Sequence, residues 1–262
     1  MISLPFRRPF DWRGLLEFIE RRQIPGIESV ADGRYRRNTA QGVVEVRLAS
    51  DGCSLEATLP DESLVARVRH LFDLDAEPDA IRAVLGRDPQ LNGILSRHAG
   101  LRVPGCWDPF EVSVRAIMGQ QVSVAAATTM TSRLVRAFGP PTPAGLATAA
   151  LETVGVVRAR AASIRALAAA VLDRRIVFEE ESGLDARIAQ LTALPGIGPW
   201  TANYIAMRAC HCADAFPSAD LILRRAASMD GKPLHARELE ARSQAWRPFR
   251  AYATIALWRE VT

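Results

Sequence analysis

The sequence predicts an α+β fold: a small N-terminal unit built on an antiparallel sheet, followed by a longer unit that is almost entirely helical. Three observations carry this. Short alternating runs, broken by turn dipeptides, fill residues 28–59. From about Pro78 onward apolar residues recur at helical spacing. The helical half is punctuated by proline and glycine, most clearly at Leu194-Pro195-Gly196-Ile197-Gly198-Pro199, with a helical pattern on either side. The chain has 262 residues, 48% hydrophobic and 24% charged, enough for one large or two modest cores of ordinary globular composition.

Taken in order, residues 12–22 read as a first helix with Trp12, Leu15, Leu16, Phe18 and Ile19 on its apolar side. Glu28 to Tyr35, Arg36 to Ala40, Val43 to Ala49 and Ser54 to Leu59 read as strands, with turns at Asp32-Gly33, Gln41-Gly42 and Asp51-Gly52. Pro60 to Phe72 returns to helix, capped by Asp61. Short helices follow at Asp79–Leu85 and Pro89–Arg97. Asp108-Pro109 supplies a cap and a first-position proline for a helix reaching Met118. That helix stops at Gly119-Gln120-Gln121, and Ser123 caps a longer one to Phe138. Two or three helices lie between Ala144 and Asp173, and residues 174–183 form a polar, extended link. Helices are expected again at 184–191, after Pro199, and at 220–228, 235–246 and 250–258.

Several classes can be set aside. No run of about 18 apolar residues suggests a membrane span. Arg, Pro and Asp interrupt the N-terminus too often for a signal peptide. Cys53, Cys106, Cys210 and Cys212 are few and scattered, as in a reducing cytoplasm. Cys210-His211-Cys212 lacks a second ligand pair at zinc spacing, so indifferent thiols are expected there. A net charge of +4 and a pI near 9.2 suit a polyanionic partner without requiring one. Lys232 is the only lysine.

The hairpin and the segment after it carry the chemistry. Glycines flank Ile197, and Pro199 suits a first helical turn. Such a turn presents free N–H groups at a helix N-terminus, a site for a phosphate. A plain helix–helix turn has the same wording, and the hairpin alone does not choose between the two. Phe216-Pro217-Ser218-Ala219-Asp220 then places one acid at the start of the apolar-basic stretch Leu221–Arg225. Read alone, Asp220 is a helix cap.

Together, LPGIGPWTANYIAMRA and FPSADLILRR resemble the helix-hairpin-helix DNA glycosylases, most closely those of the 3-methyladenine glycosylase II type. PFDWRGLLEF, RVPGCWDPFE and AIMGQQVSVA extend the likeness over nearly the whole chain. The resemblance implies an N-terminal domain at 1–86 and a two-lobed helical glycosylase domain at 87–262, with the hairpin motif at about 184–210. It makes Asp220 the catalytic residue, its carboxylate stabilising the oxocarbenium-like sugar that forms as an N-glycosidic bond breaks. It places Trp200, Tyr204, Trp258 and Phe18 at the base pocket; Trp12 reads better as core. Stacked aromatic rings favour a base carrying positive charge.

Relatives that also cut the strand use a lysine directly after the hairpin, where this chain has Trp200. A monofunctional hydrolase of N-glycosyl bonds is therefore expected, leaving an abasic site in base excision repair. Gln120 and Gln121 occupy the wedge loop that fills the gap left by a flipped base; the family commonly has leucine where Gln121 stands. Gly196, Gly198, Trp200 and Thr201 would hold a DNA phosphate. The carbonyls of Thr192, Leu194 and Ile197 would hold a monovalent cation, Na+ or K+, with no other cofactor. Arg224, Arg225, Arg247 and Arg250 are candidate phosphate contacts. The iron–sulfur cluster of some relatives is not expected, since no cysteine follows Cys212. At this length, neither is the alkyl-transfer module that some relatives carry ahead of this unit.

The expected partners are double-stranded damaged DNA and, downstream, an abasic-site endonuclease, for a monomer of the bacterial cytoplasm and nucleoid. Two alternatives stay open: a glycosylase for deaminated or oxidised bases, and a non-catalytic, structure-specific DNA-binding protein.

Overall fold

The structure, a computed structural model, describes residues 1–178, 182–229 and 232–261. Parts of the extended link at 174–183 and of the turn around Lys232 lie outside those residues.

The N-terminal unit is a five-stranded antiparallel sheet. Its strands are β1 (Ile2–Pro5), β2 (Glu28–Ala31), β3 (Arg34–Thr39), β4 (Gly42–Leu48) and β5 (Ser54–Thr58), in the order β1-β5-β4-β3-β2. The sequence reading missed β1. Four residues in which Ile2 and Leu4 alternate with Ser3 and Pro5 give little periodicity. The strand is fixed by its partner instead: Leu4 lies opposite Leu55. The first expected run, 28–35, is split at Asp32-Gly33, where both residues have positive φ. Leu4, Tyr35, Val44, Val46, Leu55 and Ala57 share a core with α1 (Trp12–Glu20) and α2 (Val65–Phe72). Trp12 belongs to this core; its Nε1 donates to the Gly33 carbonyl at 3.0 Å.

The helical unit holds α3 (Pro78–Leu85), α4 (Pro89–Arg97), α5 (Pro109–Met118), α6 (Val124–Phe138), α7 (Pro143–Ala147), α8 (Arg158–Leu172), α9 (Leu184–Thr192), α10 (Pro199–Ala209), α11 (Leu221–Ala226), α12 (Ala236–Ser243) and α13 (Arg250–Arg259). Caps set several starts. Asp108 accepts from the Glu111 N–H at 2.9 Å, and Ser123 from that of Ala126 at 3.2 Å.

The helices form two lobes. In one, α5 packs on α6, α8 and α10, and α9 on α10; in the other, α13 packs on α4 and α11. The second lobe thus joins segments from both ends of the helical unit. The two cores divide between Leu74 and Ala76, although Trp107 returns to the sheet core. A buried bidentate pair joins the units: Arg37 on β3 donates to Glu111 on α5 at 2.6 and 3.1 Å. Such a fork fixes orientation as well as distance.

Candidate active site

Asp220 sits at the seam between the lobes. It is the N-cap of α11, and its Oδ1 accepts from the Leu223 N–H at 2.7 Å. The capping role read from sequence is therefore present. The same carboxylate also accepts from two indoles. Trp200 Nε1, at the start of α10, reaches Oδ2 at 2.8 Å, and Trp258 Nε1, on α13, reaches Oδ1 at 3.2 Å. One indole comes from each lobe, so the carboxylate is fixed from both sides and keeps one half-exposed edge. The sequence reading took both indole side chains only as pocket aromatics, with the Trp200 backbone N–H as a phosphate contact. Their grip on Asp220 has no signature in sequence, because the three residues meet only in the folded seam.

Trp200 stacks on Tyr204 with ring centroids 5.5 Å apart and planes 17° apart, as residues four apart on one helix face can. Tyr204 lies 6.2 Å from Trp258. These rings and Asp220 line a cavity of about 390 Å³, open to solvent and completed by Ile222, Val122 and the start of α6. That volume suits a purine-sized group with most of its surface covered.

Two charged cavity residues were not foreseen: Arg22, just after α1, and Arg115, inside α5. With Arg208, whose Nη1 donates to Tyr204 Oη at 2.8 Å, they surround the phenol. Burial pushes the Tyr204 pKa up, but the three guanidiniums outweigh it and hold it below the usual tyrosine value. Burial brings Arg22 down to about 10. The sequence did carry a signal for Arg115: a lone arginine within the apolar run Val112–Met118.

Phe18 lies one layer back. The Arg22 guanidinium covers its ring at 3.7 Å, and it lines a neighbouring cavity that shares Arg22 and Trp258 with the first.

The hairpin joins α9 to α10 and is closed by a bond from the Ile197 N–H to the Leu194 carbonyl at 3.2 Å. Gly196 has φ +74°, and a Cβ there would collide with Ser163 Oγ. Gly198 differs: its φ is −85°, and a Cβ would meet nothing within 4 Å. Only the first glycine is therefore required by the turn itself. Helix α10 has no side-chain cap, and its first internal bond runs from the Ala202 N–H to the Gly198 carbonyl. The N–H groups of Trp200 and Thr201 thus have no partner within the helix. The candidate cation ligands Thr192, Leu194 and Ile197 are at the C-terminal end of α9 and in this turn, where carbonyls concentrate partial negative charge.

The expected wedge loop is tied to the hairpin. Gln120 Nε2 donates to the Gly196 carbonyl at 2.8 Å and to Thr201 Oγ1 at 2.9 Å, and Arg160 bonds the Gln120 carbonyl. The Gln120 amide nitrogen is therefore turned inward. Gln121 is exposed at the tip with φ +57°, a left-handed conformation that costs a non-glycine residue about 1–3 kcal/mol and marks functional loops.

Other expected contacts need correction. Arg250 is buried and forms ion pairs with Asp214 and Glu240; Arg247 pairs with Asp214 at 2.7 Å. Neither faces an incoming phosphate freely, and Asp214, the nearest acid to Asp220 in sequence, is taken up by them. Arg224 bonds the Leu234 carbonyl, whereas Arg225 is exposed. Among the described residues no group of three or more His, Cys, Asp or Glu is arranged to hold a metal ion, Cys210-His211-Cys212 included.

Residues 1–108 match the family model for the AlkA N-terminal domain, and residues 114–250 match that for the HhH-GPD superfamily base excision DNA repair protein. The chain belongs to the HhH-GPD superfamily. Within it, the chain is 33% identical to DNA-3-methyladenine glycosylase 2 of Escherichia coli, across 98% of this chain and 96% of that one. It is 39% identical to a probable bifunctional transcriptional activator/DNA repair enzyme AlkA of Mycobacterium tuberculosis, across 98% of this chain and 56% of the relative; the chain spans about half of that protein's length. Among solved structures, the 3-methyladenine DNA-glycosylase of Archaeoglobus fulgidus superposes with a TM-score of 0.84 at 21% identity, covering 99% of this chain and 98% of that one. That structure shares the fold of both units. No described helix is long and apolar enough to cross a membrane.

Proposed function

We propose that this chain is a monofunctional DNA glycosylase that extrudes an alkylated base of the 3-methyladenine type and hydrolyses its N-glycosidic bond. The observation that carries this is the Asp220 carboxylate, held by one indole N–H from each lobe at the edge of an aromatic cavity. A base inside a duplex is out of reach, so the nucleotide rotates out and its base enters the cavity beside Trp200 and Tyr204. The sugar then lies beside Asp220. As the bond to the base lengthens, positive charge grows on the sugar and the fixed carboxylate stabilises it with little reorganisation. Water adds at the sugar carbon, the base leaves with the bonding electrons, and the water proton passes to Asp220 or solvent. The product is an abasic site, the substrate of an abasic-site endonuclease.

Trp200 offers no amine at the position a Schiff-base chemistry needs. The N–H groups at the start of α10 take a backbone phosphate, which sets register and carries no sequence information. A monovalent cation on the Thr192, Leu194 and Ile197 carbonyls would stiffen that turn. Gln121 enters the gap in the stack, filling it or bonding the orphaned partner base. We assign the protein to the bacterial cytoplasm, acting as a monomer.

The test is release of free base from methylated duplex DNA, with strand breaks scored before and after alkali. Base release with breaks only after alkali is expected. Breaks without alkali would overturn the monofunctional assignment. Binding without release would move the chain to another lesion class or to the binding-protein reading.

A further inference from the structure

Base excision as described uses neither Arg22 nor Arg115. Arg115 is only 8% exposed, and every residue of its helix from Phe110 to Met118 is buried. Its Nη2 donates to Thr128 Oγ1 at 2.8 Å, while Nη1 has no hydrogen-bond partner. Arg22 is anchored through Nη1 on the Phe18 carbonyl at 3.3 Å and on the Phe18 ring, and it also interacts with the Tyr204 hydroxyl. The carboxylates nearby are engaged elsewhere. Arg37 holds Glu111 in a fork and also reaches Glu28, which accepts from Tyr35 Oη at 2.8 Å. Asp220 is held by its three N–H donors. Two guanidiniums thus line one cavity without an ion-pair partner among the described residues. Arg22 is half-buried, whereas Arg115 is a buried cation left unpaired with a buried donor left unmet, which is strongly unfavourable. Such groups persist where a ligand completes them.

The ligand that completes them must bring an acceptor into an aromatic-walled cavity. We propose that Arg22 and Arg115 read the edge of the extruded base, donating to a carbonyl oxygen, and so favour alkylated guanine over alkylated adenine. This rests on the base-excision reading and adds the residues that set its preference. Guanine carries an oxygen acceptor at position 6, where adenine carries an amino donor. In DNA, 7-methylguanine and 3-methyladenine bear the same positive charge. Stacking on Trp200 and Tyr204, attraction to Asp220 and repulsion from the guanidiniums act on both and largely cancel in their ratio. What remains is one edge that meets the donors and one that opposes them. A charge-assisted hydrogen bond gained against one lost corresponds to roughly a ten- to hundredfold preference.

The test measures both bases released from the same methylated duplex by wild type, Arg115→Met, Arg22→Met and Arg115→Lys. The ratio of kcat/KM for 7-methylguanine to that for 3-methyladenine is expected to fall about tenfold or more in either methionine variant. Arg115→Lys, which keeps a charge and a shorter donor, should fall less. Because both bases come from one DNA and one enzyme preparation, a partly unfolded variant lowers both rates and leaves the ratio unchanged. If Arg115→Met does not fold, Arg22→Met, outside the helix core, carries the test. A ratio that stays at the wild-type value in the folded variants overturns the proposal, whatever happens to the individual rates. Wild type that binds an abasic duplex yet releases neither base overturns the underlying glycosylase reading instead.

Discussion

Replacing Asp220 with asparagine isolates the charge from the shape of the site. The amide oxygen can take the place of Oδ1 and keep the Leu223 N–H at 2.7 Å and the Trp258 indole at 3.2 Å. The amide nitrogen then stands where Oδ2 was, facing the Trp200 N–H across 2.8 Å, donor against donor. Losing a hydrogen bond to a charged acceptor costs about 1.5–3 kcal/mol. For a chain of this length that lowers the melting temperature by roughly 3–10 °C. The catalytic loss is larger. A carboxylate about 4 Å from the cationic sugar, at an effective dielectric of about 20, contributes about 4 kcal/mol. Each 1.36 kcal/mol is about tenfold in rate, so base release should fall about a thousandfold. Single-turnover release from methylated duplex, with enzyme in excess, measures the chemical step, and binding to an abasic duplex serves as the control. Trp200→Phe keeps a ring but removes one donor, and should fall between wild type and Asp220→Asn. Release by Asp220→Asn within tenfold of wild type, with the melting temperature lowered as expected, would reduce Asp220 to a helix cap and refute the assignment.

The two hairpin glycines should separate stability from binding. Gly196→Ala places a Cβ against Ser163 at φ +74° and should lower the melting temperature, whereas Gly198→Ala should melt like wild type but bind duplex DNA more weakly, because its Cβ points into the space a phosphate would use; equal melting temperatures for the two variants would contradict this. Gln120→Ala removes both bonds between the wedge loop and the hairpin and should slow base flipping, followed with a fluorescent base beside the lesion, by about tenfold, with a smaller change in the affinity for undamaged duplex. His211, whose pKa burial and the neighbouring His70 depress to about 3, stays neutral in the fold while the unfolded chain binds a proton below about 6.5. Its contribution is therefore complete above pH 6.5 and is lost as pH falls toward 3. The melting temperature of His211→Gln relative to wild type should rise as pH is lowered from 7 to 4.5, and a flat difference would show that His211 does not titrate this way. Asp73, raised by burial to about 6, acts in the opposite sense: its proton is retained in the fold, and stability is lost as pH rises from about 4 to 6. A variant-minus-wild-type difference is needed to see either group.

Legibility in the sequence followed the range of the interaction. Periodicity and caps act within a few residues, and they located the helices: Asp108 with Pro109, Ser123 before α6 and Asp220 before α11 all appear as read. β1 was missed because four residues carry too little pattern, and its place comes from pairing with β5, about fifty residues away. The site divided in the same way. Trp200 and Tyr204 share a face because they are four residues apart, which sequence states directly. The roles of Arg22, Arg115 and the two indole donors depend on four distant segments converging, which no local signal encodes. Arg250 and Arg247 looked like free basic residues because their partner, Asp214, lies more than thirty positions away.

The way Asp220 is held has a consequence for how the lobes work together. Its backbone belongs to α11, one indole donor to α13 in the same lobe, and the other to α10 across the seam. Helix α10 also begins at the hairpin, and Gln120, in the expected wedge loop between α5 and α6, donates to the hairpin's Gly196 carbonyl. A shift of α10 relative to α11 would change the Trp200–Asp220 bond, the phosphate-facing N–H groups and the wedge position at once. The three tasks proposed for this site, gripping the backbone, filling the gap and stabilising the sugar cation, would therefore depend together on the placement of one helix. That arrangement favours chemistry only when the backbone is seated in register, since a displacement of about 1 Å at a reacting centre can cost about a hundredfold in rate. It also explains why Trp200 is worth more here than a stacking surface. It is the side chain through which the hairpin end of α10 reaches the carboxylate. Tyrosine at this position would keep a ring and a donor but move the donor off the line to Oδ2. Trp200→Tyr should therefore lose rate at saturating DNA while retaining affinity for an abasic duplex; loss of affinity in step with rate would mean that Trp200 serves as a stacking surface alone.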